Sequence, residues 1–193
     1  MKLRSLALLP LVFVLLSITA HAQTGIYLNP VAVRVSNSQA DSQEFAFLGP
    51  GKTSQMFYGI QFGGYYDFKH TSPIGLGLEM RDSHTYGNSA MLNSFLAGVR
   101  LTAKPLARPF KFYVEPTIGL GTTRTPSSPR RKSNFQFGVY GGVDYPVQKH
   151  IDWRIAEVGF SSLRTINSTD FGYAATATSS KLVSISTGLV FRF

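Results

Sequence analysis

The chain has 193 residues, no cysteine and a formal charge of +9, with 44% hydrophobic but only 15% charged residues. The length suits one domain, and the missing cysteine excludes a disulfide framework and thiolate metal centres. Aromatics at 13% and 18 glycines point to an all-β chain with many tight turns and away from a helical enzyme.

Lys2 and Arg4 precede an apolar run, Leu6–Ile18, and Ala20-His21-Ala22 is a small-x-small cleavage site. Residues 1–22 therefore read as a signal peptide and 23–193 as the exported domain. The apolar run is shorter than the ~20 residues that a spanning helix needs. Without Lys2 and Arg4 the +9 falls to +7 for the exported part. Export makes nucleic acid an unexpected partner and turns the basic charge toward anionic lipid or sugar phosphate.

Eight alternating segments follow: Gly25–Ser36, Gln55–Phe68, Pro73–His84, Ala90–Thr102, Phe110–Thr122, Asn134–Pro146, Ile151–Leu163 and Lys181–Phe193. Each exceeds the ~9–11 residues that a tilted strand needs to cross a bilayer. The connectors 37–54, 85–89, 123–133 and 164–180 are mostly long and polar, and 69–72, 103–109 and 147–150 are shorter. Long loops on one side and short turns on the other predict an eight-stranded antiparallel up-and-down transmembrane β-barrel, with both termini on the periplasmic side. The pairs Gly63-Gly64 and Gly141-Gly142 recur in strand middles without fixing a repeat.

Within the segments one face is apolar and the other carries charge and small residues. Ile74, Leu76, Leu78 and Met80 oppose Gly75, Gly77, Glu79 and Arg81, for example. An eight-stranded barrel has an interior only just filled by side chains, so the face with glycine and serine belongs inside. The predicted lumen then collects Arg34, Arg81, Arg100, Lys111, Arg154 and Arg192 with Asp67, Glu79, Glu115, Asp144 and Asp152. Buried charges must pair, so an ion-pair network plugging the barrel is expected. Strict alternation from Asp152 and Arg154 sends Glu157 toward lipid, which calls for a bulge or a position near the headgroups.

The run Gly141-Gly142-Val143-Asp144-Tyr145 followed by Lys149-His150-Ile151-Asp152-Trp153-Arg154, and the segment Gly188–Phe193, resemble the OmpA/OmpX-type eight-stranded outer-membrane β-barrel proteins. The resemblance implies a bacterial outer-membrane location. It also implies recognition of Leu189, Phe191 and Phe193 by the barrel assembly machinery.

Catalytic chemistry is weakly signalled. His84 beside Ser83, with Ser161 or Ser162 and an orienting Asp82 or Asp170, is the one rim constellation that would suit a lipid-modifying enzyme. His70 and His150 fall in periplasmic turns and His21 in the leader, so no metal-ligand cluster is expected, and no cofactor. Arg124, Arg130, Arg131 and Lys132, around Pro126-Ser127-Ser128-Pro129, form a basic extracellular loop suited to lipopolysaccharide phosphates. Loops 37–54 and 164–180 read as mobile and exposed. The expected protein is a monomeric structural or surface-interaction barrel in contact with outer-membrane lipid. A narrow ion or solute channel and a lipid-modifying enzyme are the alternatives.

Overall fold

The computed structural model describes residues 23–71, 73–105, 109–173 and 179–193, and the expected leader lies outside them. Eight strands close into a barrel: β1 (Gln23–Ser36), β2 (Ser54–Thr71), β3 (Ile74–Gly87), β4 (Ala90–Ala103), β5 (Lys111–Arg124), β6 (Arg131–Gln148), β7 (Ile151–Leu163) and β8 (Ser180–Arg192). Each pairs antiparallel with its chain neighbours, and β1 pairs β8, so no strand edge is left open. The eight strands and their up-and-down order agree with the alternation of the sequence.

Several connectors are shorter than expected because the strands run further, 123–133 among them, and the largest change of character is at 85–89. The stretch 85–89 reads as a polar loop, yet β3 and β4 continue through it and leave only Asn88-Ser89 as the turn. Both residues have positive φ, 49° and 63°, the conformation that a two-residue hairpin turn requires to match strand twist.

The outward face is an apolar belt. Ile60, Phe62, Leu78, Phe95, Val114, Ile118, Phe137, Val139, Trp153 and Ile185 all stand exposed on it. In water such a surface would be a large liability, and in a bilayer it is the solvated side. The fold is therefore that of a membrane-spanning barrel.

The interior changes character along its length. Toward the end carrying both termini it is polar and charged; toward the end carrying loops 37–53 and 164–179, here termed the outer end, it is apolar. Val31, Val33, Val35, Phe57, Leu92, Leu163 and Leu182 point inward there, and Phe47, Leu48 and Ile166 descend from the loops to complete the cluster. This corrects two expectations. Loop 37–54 is not simply mobile, since Phe47 stacks on Phe57 at 5.2 Å and Phe45 on Phe171 at 4.4 Å. Arg34 is not a lumen charge: its strand phase is set by Tyr27, Asn29, Val31, Val33 and Val35 pointing in, which turns Arg34 outward between Met56 and Val183. Charge marks the inner face only in the polar part of the lumen; above it valines fill the same phase.

A β-bulge in β7 resolves Glu157. Arg154 pairs Gly188 and Glu157 pairs Ser186, so two residues, Ile155 and Ala156, stand where a regular strand has one. The extra residue shifts the phase by one and brings Glu157 inside, where it is 2% exposed.

Candidate functional site: a filled lumen beneath a tied rim

Four inward tyrosines build the middle of the lumen, and each lies across a glycine on the adjacent strand. Tyr27 pairs Gly63, Tyr65 pairs Gly25, Tyr113 pairs Gly142 and Tyr140 pairs Gly159. A Cβ at Gly142 would stand 2.4 Å from the Tyr113 Oη, so only glycine leaves room for the ring to lie down. The other faces of the rings hold guanidinium groups. Arg81 sits 4.0 Å over Tyr140, Arg100 4.1 Å over both Tyr65 and Tyr113, and Arg154 4.3 Å over Tyr27. Such stacking fixes a planar cation while leaving its edges free to donate.

Those edges meet carboxylates. Arg81 pairs with Glu79 at 2.7 Å, with Glu157 at 3.0 Å and with Glu115. Arg100 pairs with Glu79 and Glu115, each at 2.7 Å, with Asp144 at 3.1 Å and with Asp67 at 3.9 Å. Arg154 bridges Asp144 at 3.0 Å and Glu157 at 3.1 Å. Tyr27 donates to Glu79 at 2.6 Å, and Glu157 accepts from Tyr113 at 2.7 Å and Gln61 at 2.8 Å. Carboxylates outnumber guanidiniums here, so each arginine serves two or more. All of these groups are buried, which makes the network a filled cross-section. Nearer the termini, Asp152 pairs with Lys111 at 2.7 Å and Arg192 at 2.8 Å.

Carboxylate oxygens of Glu79, Glu115 and Glu157 lie within 4.8 Å of one another, the arrangement among the described residues that could hold a cation. Arg81 already pairs with all three of these carboxylates, Arg100 with two and Arg154 with Glu157. The cationic partner of the triad is thus protein.

Above the network a cavity of about 20 Å³ lies between the polar Gln61, Ser83, Ser94, Gln136, Tyr140, Ser161 and Ser184 and the first residues of the apolar cluster, Val31, Val33, Leu92 and Leu182. That is room for about one water molecule and no solute. The apolar cluster then closes the outer mouth.

At the rim, loop 125–130 and the segment 164–173 are tied together. A short 3-10 helix, Ser168–Phe171, is capped by Asn167. Arg130 donates to the Asp170 carbonyl at 2.7 Å, its guanidinium lies 5.5 Å from the Phe171 ring, and Lys132 pairs with Asp170. Asp41 of the first loop accepts from the Ser168 N–H at 3.0 Å. Partial burial pushes the Asp170 carboxyl up, but the Lys132 ammonium and the Asn167 N–H outweigh it and hold the group below the usual aspartate value. The expected basic loop is shorter than its sequence suggests, since Arg124 ends β5 and Arg131 and Lys132 begin β6, which leaves only Arg130 in the loop; of the four, Arg130 and Lys132 spend hydrogen bonds within the protein. Arg124 donates weakly to the Ser89 carbonyl at 3.4 Å, and Arg131 stands exposed.

The expected Ser83–His84 pair is not assembled. Ser83 lines the inner cavity, whereas His84 lies on the outer face, stacked on Phe62 at 6.0 Å and 3.4 Å from Asp82. Adjacent strand residues point to opposite faces, so the two cannot share a proton. Ser161 donates nothing outward either, facing Gln136 inside, while Ser162 meets Ser179 outside. His150 lies in the turn near the termini, 3.2 Å from the Arg192 carbonyl. Leu189, Phe191 and Phe193 share the outward face of the closing strand and its end.

Glu157 and the four tyrosines belong to the site but not to the expected set. Their signal is in the sequence. Outward apolar residues switch from odd numbers at Trp153 to even numbers at Val158 and Phe160, which locates the bulge, and Tyr65, Tyr113 and Tyr140 share the phase of the lumen charges on their own strands, whereas the strand of Tyr27 carries no lumen charge.

An apolar-belted, eight-stranded barrel with an ion-paired core defines the class: a closed membrane β-barrel. No protein-family model matches the sequence, and no curated protein does. Among solved structures, Neisserial surface protein A (NspA) is similar with a TM-score of 0.54 and 16% identity, over 87% of this chain and 97% of that one. Ail, the attachment invasion locus protein of Yersinia pestis, aligns with a TM-score of 0.49 and 9% identity, over 89% of this chain and 99% of that one. At these identities the likeness is one of fold.

Proposed function

We propose that the protein is a closed, structural or surface-interaction barrel of the OmpA/OmpX type in the bacterial outer membrane. Its lumen carries no solute, and its extracellular rim meets lipopolysaccharide. The observation that carries this reading is the double closure of the lumen, by the network around Arg81, Arg100 and Arg154 and by the plug of Phe47, Leu48 and Ile166. Two filled layers in series among the described residues favour this reading over a narrow channel.

The rim reading rests on Arg124 and Arg131, whose guanidiniums have no carboxylate partner among the described residues, with Arg130 and Lys132 beside them as tied supports. Assembly would use the outward Leu189, Phe191 and Phe193 as its recognition strip. The barrel is read as a monomer, because no described strand edge is free.

Two measurements test the proposal. In planar bilayers the reconstituted barrel gives no single-channel steps above background, and regular steps would refute the closed lumen. Changing Arg124, Arg130, Arg131 and Lys132 to glutamine weakens lipopolysaccharide association; unchanged association would remove the rim from the proposal.

A further inference from the structure

We infer that the wall formed by β7, β8 and β1 holds a phosphorylated, multiply acylated glycolipid of the outer leaflet, one acyl chain lying in a groove and a phosphate meeting Arg34 and Lys181. The inference rests on the outer-membrane reading above and adds a site that the loop cluster does not supply.

The groove, of about 490 Å³, lies in the apolar belt and is lined by Pro30, Ala32, Tyr58, Ile155, Ala156 and Ile185. Its origin is local. Pro30 has no N–H to donate, and the β1–β8 ladder is interrupted between Leu28–Leu189 and Val31–Ser186 without a change of register. On the other flank the β7 bulge sets the short Ala156 next to Ile155, and Thr187 turns its hydroxyl to the Arg154 carbonyl at 2.8 Å. Small side chains between Tyr58 and Ile185 thus leave a trough where neighbouring parts of the belt are filled by phenylalanine and leucine.

Arg34 lies two residues outward of Ala32 on the same face, roughly 7 Å along the strand, and Lys181 lies four residues outward of Ile185, roughly 13 Å. The register sets Arg34 beside Val183 and Lys181 beside Ser36, so the cations rise diagonally from the groove toward the outer end. Both are exposed, and neither has a carboxylate within ion-pair distance among the described residues. A cation at that height on a lipid-facing wall reaches the headgroup layer by extending its stem outward. Two cations above one chain-sized trough match a lipid that carries its phosphate directly over packed acyl chains. A lipid without a phosphate would use only the trough.

The test uses the folded chain in phosphatidylcholine nanodiscs, titrated with hexa-acylated lipid A and read by native mass spectrometry. R34Q with K181Q is expected to weaken lipid A binding about thirtyfold, roughly 2 kcal/mol at 1.4 kcal/mol per tenfold. A32W, which fills the groove, is expected to weaken both lipid A and its dephosphorylated form, whereas R34Q/K181Q spares the latter. Binding unchanged by R34Q/K181Q but lost with the four loop substitutions would overturn this site and leave the rim proposal standing. Equal competition by phosphatidylglycerol would overturn it as well, and so would a dimer that A32W dissociates. Failure of the chain to insert would instead refute the membrane reading itself. Heat-dependent gel mobility, identical for wild type and variants, confirms that each is folded.

Discussion

Replacing Glu157 by glutamine tests whether the lumen is held by charge pairing or merely filled. Every contact of this carboxylate is with a donor. One oxygen accepts from Gln61 at 2.8 Å, Arg81 at 3.0 Å and Ser186 at 3.3 Å; the other accepts from Tyr113 at 2.7 Å, Arg154 at 3.1 Å and Arg81 at 3.2 Å. Glutamine keeps the shape but turns one oxygen into an NH₂, which must face three donors whichever way the amide lies. Arg81 and Arg154 also lose a buried counter-charge. Breaking one side of a buried pair costs about 3–5 kcal/mol, and that is the expected loss. Trp153, the single tryptophan, faces lipid beside the bulge and reports unfolding by fluorescence in urea, with gel mobility as a second probe. Arg131→Gln on the exposed rim is the control, expected within about 0.5 kcal/mol of wild type. A loss below 1 kcal/mol for Glu157→Gln would refute the network as a source of stability.

Other outcomes follow from single features. Gly142→Ala puts a methyl group 2.4 Å from Tyr113 Oη and 2.9 Å from the Ala156 carbonyl, and should cost about 1–3 kcal/mol as overpacking, measured by the same urea titration. Deleting Ala156 restores one-to-one pairing of β7 with both neighbours between Arg154 and Glu157 and leaves Glu157 inside, so this deletion should still give a heat-modifiable barrel, whereas deleting Phe160 should not. Phe47→Ala empties the plug and should release loop 37–53 to protease without opening a conducting path, because the arginine network remains. Because its carboxyl is held below its ordinary value, the stabilising effect of Asp170 is fully present above that value and is lost as pH falls through the lower folded one. Protease protection of loop 164–173 should therefore fall away only in that acidic window, and Lys132→Gln should move the loss to higher pH.

Strand number, order and nearly all strand faces were legible because the side-chain period of a strand is two, and lipid outside with a tight lumen inside makes the two faces chemically unlike. The lumen partners Asp67, Glu79, Arg81, Arg100, Glu115, Asp144 and Arg154 follow from that contrast. It fails where the contrast reverses. Arg34 was assigned by charge, but near the outer end the interior is sealed by valine and leucine, and a cation on the outside there is within reach of headgroups. Glu157 was hidden by one extra residue, since a bulge inverts every face beyond it. The plug was illegible for another reason: Phe45, Phe47 and Leu48 sit in a polar loop, and nothing in local spacing tells a loop that folds into a barrel mouth from one that leaves it.

The outer plug joins residues from β1, β2, β4, β7 and β8 to two loops that are more than a hundred residues apart in sequence. It is complete only when both loops stand on the same far side of the bilayer and the barrel is shut. Contacts made that late contribute little to the rate of insertion and fall mainly on the rate of escape. A plug that forms after the strands have closed would act as a latch, lengthening the lifetime of the inserted barrel while leaving its assembly to the strands.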